Sequence, residues 1–290
     1  MTRPRLREVS YTGSGTAIEK EYRALDAALA RTARTVVGFD AKAYDPRAIS
    51  RAIVSWRARM EGEHRSTTVF SSLAAQLVEA NATLDAKTVM LRMAQDELRH
   101  TETCGQVVTA LGGGTSAMMD VSVAKLARHR GCTPEERALR NVIYTTCLSE
   151  MIAVARLADE LDATKDPFLR DATRRLLADE VLHGQFGFLY LESWTPWLDA
   201  HGEVRGSLEL YLVHAFAVLE AALAGPKRPR VTWTDDERAL GLAGTTDPFT
   251  IFHETIAHAV VPGLERFGID ASRAWKKRRR LDVEDSLVVT

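Results

Sequence analysis

Cysteine is scarce in this sequence, net charge is almost absent, and no long apolar run occurs. The three cysteines, Cys104, Cys132 and Cys147, are an odd number among 290 residues and form no C-x-x-C pair. That argues against a disulfide framework and suits a reducing compartment, so the expected location is the cytoplasm. A formal net charge of -1 supplies no overall field toward nucleic acid or an anionic membrane, and any basic partner site has to be local. No stretch of about 18 uncharged apolar residues is present. The N-terminal MTRPRLREVSYTGSG also lacks the apolar centre of a signal peptide. Export by that route and membrane spanning are therefore not expected.

Strand-like alternation is scarce too, whereas helix punctuation is plentiful. Composition is ordinary for a globular protein, 46% hydrophobic and 27% charged, enough for a sizeable core. Residues 1–45 read as a lead-in segment, with a loop at TGSGT and a short helix over IEKEYRALDAALARTAR. A first long helix opens at Asp45-Pro46 and runs to about Asn81; a second runs from Asp85 to Leu111, where Gly112-Gly113-Gly114 stops it. Thr133-Pro134-Glu135-Glu136 offers an N-cap, a first-turn proline and early acids for a third. Asp166-Pro167 repeats the device for a fourth, reaching about Trp194. A fifth covers about 203–224, closed by Gly225-Pro226, and a sixth starts at Asp247-Pro248. The expected fold is all-α: a four-helix antiparallel bundle over 46–198, with residues 199–290 as a helical extension packed on it.

Acids and imidazoles interrupt the apolar stripes of these helices. In the second helix Glu97 and His100 share a face with Met90, Met93, Ala94, Cys104, Val107 and Val108. In the fourth, Glu180 and His183 share one with Leu176, Leu177, Gly184, Gly187, Tyr190 and Leu191. Glu63 lies in the first helix among Trp56, Met60, Thr67 and Phe70. Glu150 lies in the third among Ile143, Thr146, Cys147, Ala153, Val154 and Leu157. A buried carboxylate costs several kcal/mol without a counter-charge, so four converging acids call for cations. A pair of metal ions supplies them, with each Glu-x-x-His pair offering two ligands one helical turn apart. Glu63 and Glu97 are 34 positions apart, Glu150 and Glu180 30, so the two halves look duplicated.

This pattern, E…ExxH…E…ExxH over residues 46–198, resembles the ferritin-like di-iron carboxylate superfamily, of which rubrerythrin, acyl-carrier desaturases and arylamine N-oxygenases are members. The resemblance implies a four-helix bundle, two irons bridged by Glu97 and Glu180, terminal ligands Glu63 and Glu150, and O2 as co-substrate. Manganese, or a mixed Mn/Fe pair, fits the same donors. It also implies an external electron donor and a small organic substrate, and leaves room for a homodimer. Arylamine N-oxygenases add a histidine one turn before the last paired glutamate, where this sequence has Leu176. A rubredoxin module would need the missing C-x-x-C pair.

The main expectation is a non-haem di-iron oxygenase or oxidase. Iron oxidation for storage, or a metal-free helical interaction module, are the competing functions. A third match, Glu61-x-x-His64, shares its face with Arg57, Arg65 and Thr68 and reads as solvated, leaving Glu63 as the first-helix ligand. His253, Glu254 and His258 do not make a zinc-protease helix, because histidines five apart do not share a face. Asp96 and Asp179 precede the paired glutamates and are candidates to orient the histidines across the bundle. Tyr190 and Tyr144 read as core tyrosines with satisfied hydroxyls. Trp275-Lys276-Lys277-Arg278-Arg279-Arg280 reads as a solvated basic tail, with docking to nucleic acid or an acidic partner as its alternative.

Overall fold

A computed structural model describes residues 6–10, 38–120, 126–224 and 231–278. The helix expected over 18–34, the Gly225-Pro226 stop, and Arg279 and Arg280 lie outside the described residues.

The punctuation read from sequence sets the helix starts. Asp45 accepts from the Arg47 N–H and Pro46 opens α1 (Pro46–Glu79). The Thr83 hydroxyl accepts from Ala86 N–H to start α2 (Leu84–Ala110). Thr133 caps the third rod, which is α3 (Pro134–Val142), a π-helical segment (Ile143–Glu150) and α4 (Met151–Ala163) in unbroken succession. Asp166 caps two N–H groups, of Phe168 and Leu169, at the start of α5 (Pro167–Ala200). The expectation that this helix ends near Trp194 is corrected: it carries on through Pro196, which removes one intrahelical bond close to the end.

The rods form an antiparallel four-helix bundle. Trp56, Met60, Phe70, Leu73 and Leu77 of α1 are buried with Met90 of α2, Leu139, Ile143 and Leu148 of the third rod, and Tyr190 and Leu191 of α5. Five further helices follow: α6 (Gly202–Ala224), α7 (Asp235–Ala239), α8 (Pro248–Thr255), α9 (Val261–Glu265) and α10 (Ala271–Lys277), with a π segment (Ile256–Val260) joining α8 to α9. Trp56 ties them to the bundle by donating from Nε1 to the Leu240 carbonyl, 3.1 Å away. A two-stranded ribbon was not anticipated: β1 (Leu6–Ser10) pairs antiparallel with β2 (Ser116–Asp120), Leu6 opposite Asp120. It joins segments too distant in sequence for a local signal.

Gly202–Leu223 of α6 is long and apolar enough, by length and composition, to cross a membrane. In the fold its stripe of Val204, Leu208, Leu212, Phe216 and Leu219 is buried. Two of its acids are engaged: Glu209 by Arg273 and Lys277, at 3.2 and 3.3 Å, and Glu220 by His253 at 2.9 Å. Arg278 donates from Nε and Nη2 to the two Glu220 oxygens at 2.8 and 3.0 Å, and its guanidinium stacks on Trp275. The described part of the basic run is therefore not a solvated tail. Arg278 is buried because α6 supplies its counter-charge.

Gly184 and Gly187 leave no room facing the third rod. A Cβ at Gly187 would come within 2.2 Å of Thr146 Oγ1, 2.4 Å of Cys147 Sγ and 3.1 Å of Cys147 N. Gly187→Ala is expected to lower stability by about 1–3 kcal/mol through overpacking. Gly206→Ala, on the open side of α6 with nothing within 4 Å, is expected to raise it by about 0.5–1 kcal/mol. Chemical denaturation of the two variants checks the contrast.

Candidate metal centre

The four rods deliver one carboxylate each to the same layer of the bundle, and α2 and α5 add an imidazole. Glu97, His100, Glu180 and His183 are all buried, at 3% exposure or less. Glu63 keeps 16% of its side chain exposed, and Glu150 stands at the end of the π segment with its carboxyl buried. Donor atoms of Glu63, Glu97, His100 and Glu180 lie within 4.8 Å of one another, as do those of Glu150, Glu180 and His183. Glu180 belongs to both groups.

Glu97 and Glu180 each turn one oxygen toward each histidine. Glu180 Oε1 is 3.2 Å from His100 Nδ1, and Oε2 is 3.2 Å from His183 Nδ1. Glu97 Oε1 lies 3.2 Å from His183 Nδ1, and Oε2 3.8 Å from His100 Nδ1. The imidazole centroids are 5.8 Å apart. Both Glu97 oxygens and His100 Nδ1 are buried without a hydrogen-bond partner among the described residues. Orphaned buried donors and acceptors of this kind are rare in native structures. Oxygen and imidazole nitrogen converging from four rods are the donor set of iron or manganese, so the residues fit a di-metal pair.

The far nitrogens are held crosswise. His100 Nε2 meets Asp179 Oδ2 on α5 at 3.2 Å, and His183 Nε2 meets Asp96 Oδ2 on α2 at 3.4 Å. Each helix thus orients the other's imidazole through the residue before its own glutamate, which fixes the Nδ1 atoms inward. Arg92 and Arg99 brace Asp96, and Arg99 reaches Asp179 at 3.5 Å. Asp179→Asn is expected to weaken metal binding about 10–100-fold while leaving the helices intact. Competition with a chelator of known affinity measures it.

Burial is the largest influence on Glu63, Glu150 and Glu180 and acts upward on each. Glu63 is pushed well above the usual carboxylate range, helped by Glu97; Glu150 rises likewise, helped by Glu180 and Glu97. For Glu180 burial acts upward, but the neighbouring His100 and His183 imidazoles outweigh it and hold the carboxyl well below the ordinary range. Burial would lower His183, yet Asp96, Glu180 and Glu97 carry it up to about 12; His100 is raised in the same way by Asp179, Glu180 and Glu97. Unaided, the cluster balances its acids by holding protons.

Glu63, not Glu61, enters the cluster. His253 pairs with Glu220 on α6, and Glu254 and His258 are exposed. The expectation of a satisfied Tyr190 hydroxyl is corrected, since that oxygen is buried with no hydrogen-bond partner among the described residues. The sequence reading missed Arg59, one turn before Glu63, which donates from Nη2 to Glu160 of α4 at 2.5 Å. Its residue types carry no motif, and only the fold brings them together.

No family model and no curated protein matches the chain. A solved structure does: protein 19 from Synechococcus, a protein with aldehyde deformylating oxidase activity, matches with a TM-score of 0.53 at 18% identity. The match covers 81% of this chain and 97% of that one. With the bundle described above, it makes the fold a ferritin-like four-helix bundle with additional C-terminal helices.

Proposed function

We propose that the protein is a di-iron oxidoreductase that uses O2 to oxidise a small organic substrate, reset by electrons from an external donor. One observation carries this reading: Glu97 and Glu180 each divide their oxygens between His100 and His183. Glu97 and Glu180 would hold two cations side by side, with Glu63 and Glu150 as further ligands. The oxidase activity of the Synechococcus protein with the same fold supports an oxidative reaction.

Bound iron would supply the exchange of electrons with O2 that none of these side chains can perform. The chain does the rest. Asp96 and Asp179 lock the imidazole orientation, and the buried stripes around Glu97 and Glu180 exclude water. Glu63, the most exposed acid of the paired-histidine cluster, stands where a substrate can arrive. Free cysteines throughout the described residues fit a cytoplasmic protein.

The test is metal analysis of the purified protein, with Mössbauer or EPR spectra before and after exposing the reduced form to O2. Two irons per chain whose spectrum changes with O2 are expected. Many irons deposited per chain would favour iron handling, and none would leave a helical interaction module.

A further inference from the structure

The bundle is not equally closed on all sides. α1 and the third rod run antiparallel, clasped at one level by Asn141 donating to Gln76 Oε1 at 2.8 Å and at another by Arg59 and Glu160. Between those clasps both walls open. From Glu61 to Thr67 no residue of α1 is buried, although Met60 and Phe70 on either side are; facing them, Ser149 to Ala155 are all part-exposed except Ile152. The cluster acid with a part-exposed side chain at this slot is Glu63.

Arg59 stands at its rim. The guanidinium lies over the Trp56 ring at 4.7 Å, Nη2 is held by Glu160, and Nη1 is buried with no hydrogen-bond partner. Arg156 reaches the other Glu160 oxygen at 3.4 Å. Two guanidiniums therefore share one carboxylate, and the group has one positive charge in excess. A guanidinium fork with a free arm is shaped for a carboxylate. Arg59 precedes Glu63 by one turn, about 6 Å along the helix, and its guanidinium is backed by the buried Trp56 ring.

We propose that Arg59 is the anion-recognition residue of this opening, and that the substrate of the di-metal centre is an organic monocarboxylate anchored on Nη1 with its carbon chain toward Glu63. The inference rests on the oxidoreductase reading for what happens to the substrate, but not for its binding.

Calorimetric titration of the full-length, zinc-loaded protein with hexanoate and benzoate, against hexanamide and benzamide, tests it. The acids are expected to bind at least tenfold more tightly than the amides. Arg59→Met should weaken the acids roughly 10–100-fold, the worth of a charged hydrogen bond, leave the amides unchanged, and be partly rescued in Arg59→Lys. Arg59→Met with Glu160→Gln guards against a folding defect from the stranded acid. Equal binding of acids and amides, no saturable binding of either acid, or an acid affinity indifferent to Arg59 would overturn the proposal. Metal content of the same samples separates the two readings. Two metals without a carboxylate preference sinks only this inference, and Arg59-dependent acid binding without metal sinks only the oxidoreductase.

Discussion

Replacing Glu180 by alanine is expected to strip both metal positions at once. Glu180 is the shared member of both donor groups, with one oxygen toward each histidine, so the loss leaves His100 and His183 without the carboxylate between them. The fall in affinity should exceed the 10–100-fold cost of losing an outer partner such as Asp179. Glu61→Ala, which changes a side chain outside both groups, should keep both metals. Elemental analysis of the two variants decides the matter. Retention of metal by Glu180→Ala together with loss in Glu61→Ala would refute the assignment.

Metal uptake is expected to expel protons and to weaken steeply on acidification. In the metal-free chain Glu63 and Glu150 are raised well above the carboxylate range, and His183 is raised to about 12. At neutral pH His183 carries a proton, and the upward shifts make Glu63 and Glu150 hold theirs more tightly than ordinary carboxylates; such protons must leave before the atoms can bind a cation. The sign for stability follows from the same shifts. A group whose pKa is higher folded than unfolded helps the fold below its unfolded value and ceases to help as pH rises through the folded one. For Glu63 and Glu150 the metal-free protein begins to lose stability above the ordinary carboxylate pKa, about 4.3. For His183 the contribution is complete below about 6.5 and fades toward about 12. Metal reverses this by compensating the charged forms. The melting-temperature difference between loaded and chelated protein should therefore widen from about pH 5 to about pH 8, because fewer free protons compete with the cation for these atoms as pH rises. Calorimetry in two buffers of different ionisation enthalpy would count the protons released, and none released would contradict the picture.

The helix starts and the inward faces were legible because their causes are local. Asp45-Pro46, Thr133-Pro134 and Asp166-Pro167 cap the helices they announce, and a 3.6-residue period puts Glu97 and His100 on the stripe that is in fact buried. Asp96 and Asp179 could be nominated from their place beside the paired glutamates, and they meet the histidines of the opposite helix. What stayed hidden depends on distant partners. The Arg59–Glu160 clasp joins residues 101 positions apart. Arg278 reads as a tail residue until α6 brings Glu220 beneath it. The slot cannot be read from Ala153 and Val154, which look like ordinary core positions on the Glu150 face, because their part-exposure reflects how far α1 diverges from the third rod.

The π segment Ile143–Glu150 sets the third rod apart from the other three ligand-bearing helices, which are α-helical throughout. Its run of Ile143, Thr145 and Thr146 is poor in intrinsic helix formers, and Thr146 diverts its hydroxyl to the Val142 carbonyl. A π turn is wider than an α turn and is frequently found at functional sites. Glu150 is thus mounted at the end of a widened turn, while Glu63, Glu97, Glu180 and the two imidazoles stand on regular α-helix.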